Sequence, residues 1–227
     1  MGVKYRNTVN AVLSRTRVLA VYAAVLAVCA AVAVAFGRNP LVTTAWLDLD
    51  TASLAMLSAA LGVVVGVLMI GVTRAMMNRA AWARALHADL RPVVRDADDT
   101  TLFAVAVASG VGEEVLFRGL LVPAIGVVLS SIVFGAVHQV RGRARWGWML
   151  WAGLTGALLA IVFKLTGNLL GAVIGHVVIN AVNLRVLRDV EPRASSPAIP
   201  RGRRLGGLLL SSRALSSRAP QARGTSR

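Results

Sequence analysis

Apolar residues dominate this chain in long blocks, each closed by a short polar or glycine-containing segment. The first block, Val18 to Phe36, ends at Gly37, Asn39 and Pro40. At about 1.5 Å per residue it is long enough to cross a hydrocarbon core of about 30 Å. A signal peptide would carry an apolar region of about 7–15 residues nearer the N-terminus, so this block reads as a retained helix. A second block runs from about Ala52 to Val72. Its Gly62-x-x-x-Gly66 is a small-residue pattern that lets two helices approach closely. Then come Trp82, Leu86 and Leu90 among Arg79, Arg84 and Arg91. That spacing predicts a short amphipathic helix lying on a membrane surface, with His87 solvated. Pro92 and the acids Asp96, Asp98 and Asp99 end it, and Asp99 or Thr100 is placed to cap the next helix. Four more blocks follow: Thr101 to Val122, Ala124 to Val140, Trp146 to Leu165 and Leu169 to Leu187. Pro123 reads as a tight turn between the first two of these, and Gly167-Asn168 as the turn between the last two. The pattern predicts an all-α fold, a polytopic membrane helix bundle of about six transmembrane helices.

Composition sharpens this. Of 227 residues, 56% are hydrophobic and 15% charged, where a soluble domain carries about 25% charged residues. The formal net charge is +15. It lies in the N-terminal arm, between Arg74 and Arg95, at Arg141, Arg143 and Arg145, and from Arg185 onward. With six crossings, all four basic segments fall on one side. The positive-inside rule makes that side, and both termini, cytoplasmic. No basic face is interleaved with aromatic residues, so nucleic acid is not an expected partner.

The chain then divides into a basic arm (1–17), two transmembrane helices with an amphipathic cytoplasmic segment (18–99), a core (100–188) and a basic tail (189–227). The tail has the composition of a disordered segment, and its arginines suit anionic lipid. The single cysteine, Cys29, lies mid-span, forms no internal disulfide and reads as a small packing residue.

Ionisable groups at the centre of a membrane helix cost about 2.5–3.5 kcal/mol each on insertion scales. A chain that keeps them pairs them or sets them in a polar cavity. Glu113, Glu114 and Arg118 lie inside the third block. Glu114 and Arg118 are four apart on one face and can pair; a purely structural ion pair accounts for them equally well. Glu113 is turned by about 100° from Glu114 and has no local partner. The fourth block carries Phe134 and His138, and the sixth carries His176 and Asn180 with Asn183 one turn further. Helical rise sets Glu113 roughly 18 Å from the start of its block, and His176 roughly 11 Å from the opposite side. In a core of about 30 Å these depths nearly coincide, and His138, roughly 21 Å in, lies somewhat nearer the cytoplasm.

These residue types suit hydrolysis. A carboxylate can take a proton from water while a histidine shares or orients it. A second histidine and an amide can donate to an oxyanion. Glu113, His138 and His176 are also a plausible zinc set, without the His-Glu-x-x-His motif of zinc proteases. Ser109, Ser130 and Ser131 stand in no nucleophile motif.

Glu113-Glu114-x-x-x-Arg118, Phe134-x-x-x-His138 and His176-x-x-x-Asn180, with their flanks, resemble the three motifs of the CAAX prenyl protease 2 family, also called CPBP or Abi intramembrane proteases. The resemblance covers about residues 100–185 and implies a helical membrane fold with a site open to the cytosol. It implies a glutamate-dependent endopeptidase in which Glu113 activates water with His138, and His176 and Asn180 hold the oxyanion. Glu114 and Arg118 are then supporting residues and Phe134 shapes the pocket. The implied cofactor is none or one zinc ion. The implied partners are a peptide or membrane-protein substrate and the lipid bilayer, in the plasma membrane of a bacterial cell. Eukaryotic members trim a C-terminal tripeptide from prenylated proteins. Some bacterial relatives are linked to bacteriocin immunity or act as scaffolds, so a non-catalytic scaffold or immunity protein is the alternative. A proton-coupled carrier fits less well, because paired broken helices and an internal repeat are missing.

Overall fold

The structure is a computed structural model that describes residues 14–191; the first part of the basic arm and the tail beyond Glu191 lie outside the described residues. The all-α expectation holds. The helices are α1 (Arg15–Ala35), α2 (Thr51–Arg79), α3 (Ala81–Val94), α4 (Asp99–Glu114), α5 (Val122–Val137), α6 (Arg145–Thr166) and α7 (Leu170–Asp189). A π-helical stretch, Val115–Leu121, joins α4 to α5. Among the described residues, five helical runs are long and apolar enough to cross a membrane: α1, α2, the run Asp99–Val137, α6 and α7. Large apolar side chains such as Val28, Val64, Leu68, Ile132 and Leu150 face outward. An apolar surface of this extent is one that lipid covers.

The count of five, against about six expected, reflects where the chain turns. Pro123 falls in the first turn of α5, directly after the π-helical stretch, and the helix runs through it. The break comes at Gly126, with φ 80° and ψ 170°, a conformation glycine adopts without strain. Beyond it the chain doubles back. Ser130 Oγ donates to Phe117 O at 3.2 Å, and the Phe117 and Phe134 rings stand 4.8 Å apart. A straight helix would hold those rings about 25 Å apart. The returning limb is short and ends at Val137, so the expected span 124–140 is truncated.

Three local expectations are corrected. α3 is amphipathic, but His87 is buried, with Nε2 2.8 Å from Val190 O. The end of α7 packs on the apolar face of α3, a contact with no signal in the local pattern. Pro92 lies inside α3 and does not end it. The cap of α4 is Asp98, which accepts the Thr101 N–H at 2.6 Å. That bond holds the Asp98 carboxyl below the usual carboxylate range.

α2 and α7 pack backbone to backbone. A Cβ on Gly62 would overlap the carbonyl of Gly171, and one on Gly66 would lie 3.0 Å from Val178 Cγ1. The Gly62-x-x-x-Gly66 stripe therefore meets a second stripe, Gly171 and Gly175. Gly62→Ala is expected to lower unfolding stability in nanodiscs by about 1–3 kcal/mol, the range for overpacking. Gly71→Ala is the control: its Cβ meets nothing within 4 Å, and its melting temperature is expected to stay level or rise.

The two ends of the bundle differ. At one end Arg188 pairs with Asp99 at 2.7 Å, and Arg91 with Glu191 at 3.2 Å. These tie the end of α7 to α3 and to the start of α4. At the other end the α1–α2 loop lies on the α6–α7 turn, with Trp46 N–H donating to Lys164 O and Leu169 N–H to Leu41 O.

Candidate active site

Glu113 and Glu114 end α4 and point apart, as their helical phase requires. Glu114 is fully buried. Its Oε1 accepts from Arg118 Nη1 at 2.8 Å, the ion pair that the spacing of four allows. The same oxygen lies 2.6 Å from His176 Nδ1. Arg118, also buried, donates through Nη2 to Gly156 O at 2.9 Å and stands over the Phe134 ring, 4.3 Å from its centroid. Burial of a guanidinium is tolerated when its charge and its donors are satisfied together, and Arg118 meets a carboxylate, a carbonyl and an aromatic face. It sits in the π-helical stretch, a departure from the regular helix of the expected span and one often found at functional sites.

Glu113 faces the other way. Its Oε1 accepts from Tyr22 Oη at 2.5 Å. Its Oε2 lies 3.6 Å from His138 Nε2 and 3.8 Å from His176 Nε2, and is buried without a hydrogen-bond partner among the described residues. His138 stands just past the end of α5, not within a helix. Its Nδ1 is 2.7 Å from Phe134 O.

The hydrogen bonds assign the tautomers. A carbonyl and a carboxylate only accept, so Nδ1 of His138 and Nδ1 of His176 each carry a proton. In the neutral rings both Nε2 atoms are therefore bare. Two imidazole lone pairs and a carboxylate oxygen converge on one point, too far apart for direct hydrogen bonds but within reach of one bridging water.

Phe134 packs on this cluster from one side. Its ring is 4.4 Å from that of His138 and 6.0 Å from that of His176. Asn180 joins Glu113, Phe134, His138 and His176 in lining one cavity of about 350 Å³; its Nδ2 donates to Ser109 Oγ at 3.0 Å. One amide proton of Asn180 is used by that bond, and the other has no partner among the described residues. The cavity runs from Glu113 toward α3, past Trp82, Leu86, His87 and Leu187. Among the described residues, no three His, Cys, Asp or Glu side chains are grouped to hold a metal ion.

This constellation is carried by a segment with known relatives. Residues 100–182 match the family model described as type II CAAX prenyl endopeptidase Rce1-like. Those residues are an Rce1-like domain. The chain is also similar to the uncharacterized protein YpbD of Bacillus subtilis (strain 168), 36% identical over 70 residues. That match covers 31% of this chain and 36% of YpbD, so the chain spans little more than a third of the relative's length. No solved structure matches the chain.

The Rce1-like domain comprises α4, the π-helical stretch, α5, α6 and most of α7. Its cavity is completed from outside it, by Tyr22 of α1 and by Trp82 and His87 of α3. Tyr22 was not among the expected site residues. The one signal was a hydroxyl inside an otherwise apolar block. Ser109, which holds Asn180, lies one α-helical turn before Glu113 on the same helix, a spacing that could have marked it. Gly156 acts through its carbonyl and leaves no trace in side-chain pattern.

Proposed function

We propose that this chain is an intramembrane endopeptidase that cleaves a peptide bond with water activated by Glu113 and His138. The observation that carries the reading is the convergence of Glu113 Oε2 with the bare Nε2 atoms of His138 and His176, at 3.6 Å and 3.8 Å, beside a cavity of about 350 Å³. A water held there donates to Glu113 Oε2 and to one imidazole. As its oxygen attacks the scissile carbonyl, its proton passes to Glu113, with His138 sharing the load. The tetrahedral oxyanion takes the free N–H of Asn180. His176 donates from Nε2 only as an imidazolium, and Glu114 against its Nδ1 is placed to support that charge. Glu113 then returns the proton to the leaving amine, and the cluster regains its starting state.

The apolar walls of the cavity suit a peptide or membrane protein with apolar side chains or a lipid-modified cysteine. The cavity runs toward the end of the bundle that gathers α3 and the start of α6, with its arginines. The positive-inside rule supports a cytosolic position for that end, and the organism of the relative supports a bacterial cell. A scaffold or immunity protein would not need Glu113 to ionise. Complementation separates the two: Glu113→Gln is expected to leave a membrane protein unprocessed in cells that wild type restores. Normal processing by Glu113→Gln would establish the non-catalytic reading.

Every step above is performed by protein groups and water. Purified protein is therefore expected to keep its cleavage rate after prolonged treatment with 1,10-phenanthroline. Loss of the rate, with recovery on adding zinc, would make Glu113, His138 and His176 ligands of a metal.

A further inference from the structure

Between Arg17 and Phe36, every side chain of α1 is apolar except Tyr22 and Cys29. Tyr22 reaches Glu113 from outside the Rce1-like domain, and its bond of 2.5 Å is as short as a hydroxyl-to-carboxylate bond becomes. The approach depends on residue 112. A Cβ on Gly112 would lie 2.7 Å from Tyr22 Cδ1, so the glycine before Glu113 makes the space in which the phenol ring lies. α1 fully buries only Cys29 and Ala33, and packs Val25 and Leu26 half-buried against the core. A helix with so small a buried face places one hydroxyl on the carboxylate at the centre of the site.

The effect on Glu113 is directional. The terminal torsion of a glutamate is broad and roughly two-fold, so an unrestrained carboxylate presents either oxygen to its neighbours. The phenol occupies Oε1 and leaves Oε2 aimed between the two imidazoles. We infer that Tyr22 is a positioning residue for Glu113: it holds one carboxylate oxygen so that the other meets the water. This rests on the reading of Glu113 as the general base. It makes α1 part of the working site, not only a membrane anchor beside the domain. The alternative role for the same contact is a polar staple that holds α1 against α4.

The test compares purified full-length wild type, Tyr22→Phe, Glu113→Gln and the double variant in nanodiscs. The substrate is the junction of whichever membrane protein accumulates unprocessed in Glu113→Gln cells. Tyr22→Phe keeps the ring and its packing. It is expected to lower kcat by about 10- to 100-fold, the factor a hydrogen bond to a charged group is worth, with KM and melting temperature unchanged. In the Glu113→Gln background it is expected to cost nothing further. Wild-type kcat in Tyr22→Phe, with Glu113→Gln inactive, overturns the positioning role alone. A loss of activity that tracks a lower melting temperature overturns it in favour of the staple. If no protein accumulates in Glu113→Gln cells, the general-base reading falls and the inference falls with it.

Discussion

Glu113→Gln is expected to lower kcat by about 10²- to 10⁴-fold, the range that a positioned general base contributes, without loss of the fold. The fold is expected to survive because the amide keeps the size of the carboxylate and one acceptor oxygen for Tyr22 Oη. What it loses is the carboxylate oxygen between the imidazoles, the atom proposed to take the proton from water. A drop in kcat with KM preserved is the signature of an interaction made only in the transition state. His138→Ala is expected to fall in the same direction, and the double variant little lower than the worse single one, because groups that work as a unit are not additive.

Arg118→Leu is expected to have the largest effect on stability. Arg118 is the cation of the buried cluster, and Glu114 beside it is fully buried. Removing one partner of a buried pair costs about 3–5 kcal/mol, because it leaves the other charge uncompensated. The Gly156 carbonyl loses its donor, and the Phe134 ring its cation, at the same time. Replacing both charges, Glu114→Leu with Arg118→Leu, is expected to recover part of the melting temperature lost in Arg118→Leu. It is not expected to recover activity, since His176 Nδ1 then has no acceptor. An Arg118→Leu protein as stable as wild type in nanodisc unfolding would show that the guanidinium does not neutralise Glu114.

The helices were legible because hydropathy blocks map onto them almost one for one, and the Gly62-x-x-x-Gly66 stripe named a real packing face. The pairing of Glu114 with Arg118 was legible because it is local, four residues apart on one helix. The similar depth of Glu113, His138 and His176 was legible, since a membrane gives helices a common axis along which positions can be compared; that their helices are neighbours was not. What stayed hidden was tertiary. Nothing local in α1 says that Tyr22 faces α4, because lipid-facing and protein-facing apolar positions look alike. A proline in a first helical turn and a proline at a chain reversal share one signature, so Pro123 was taken for the turn that Gly126 makes. His87 has the spacing of a surface residue and becomes buried only because α7 ends against it.

The central claim is that this chain cleaves a peptide bond by means of Glu113. Its most direct test reconstitutes purified wild-type protein and Glu113→Gln in proteoliposomes with membrane proteins from cells that lack the gene, and maps new peptide termini by mass spectrometry. The account predicts a new pair of termini, at one junction, with wild type and not with Glu113→Gln. The same termini at equal rates with both proteins would contradict it.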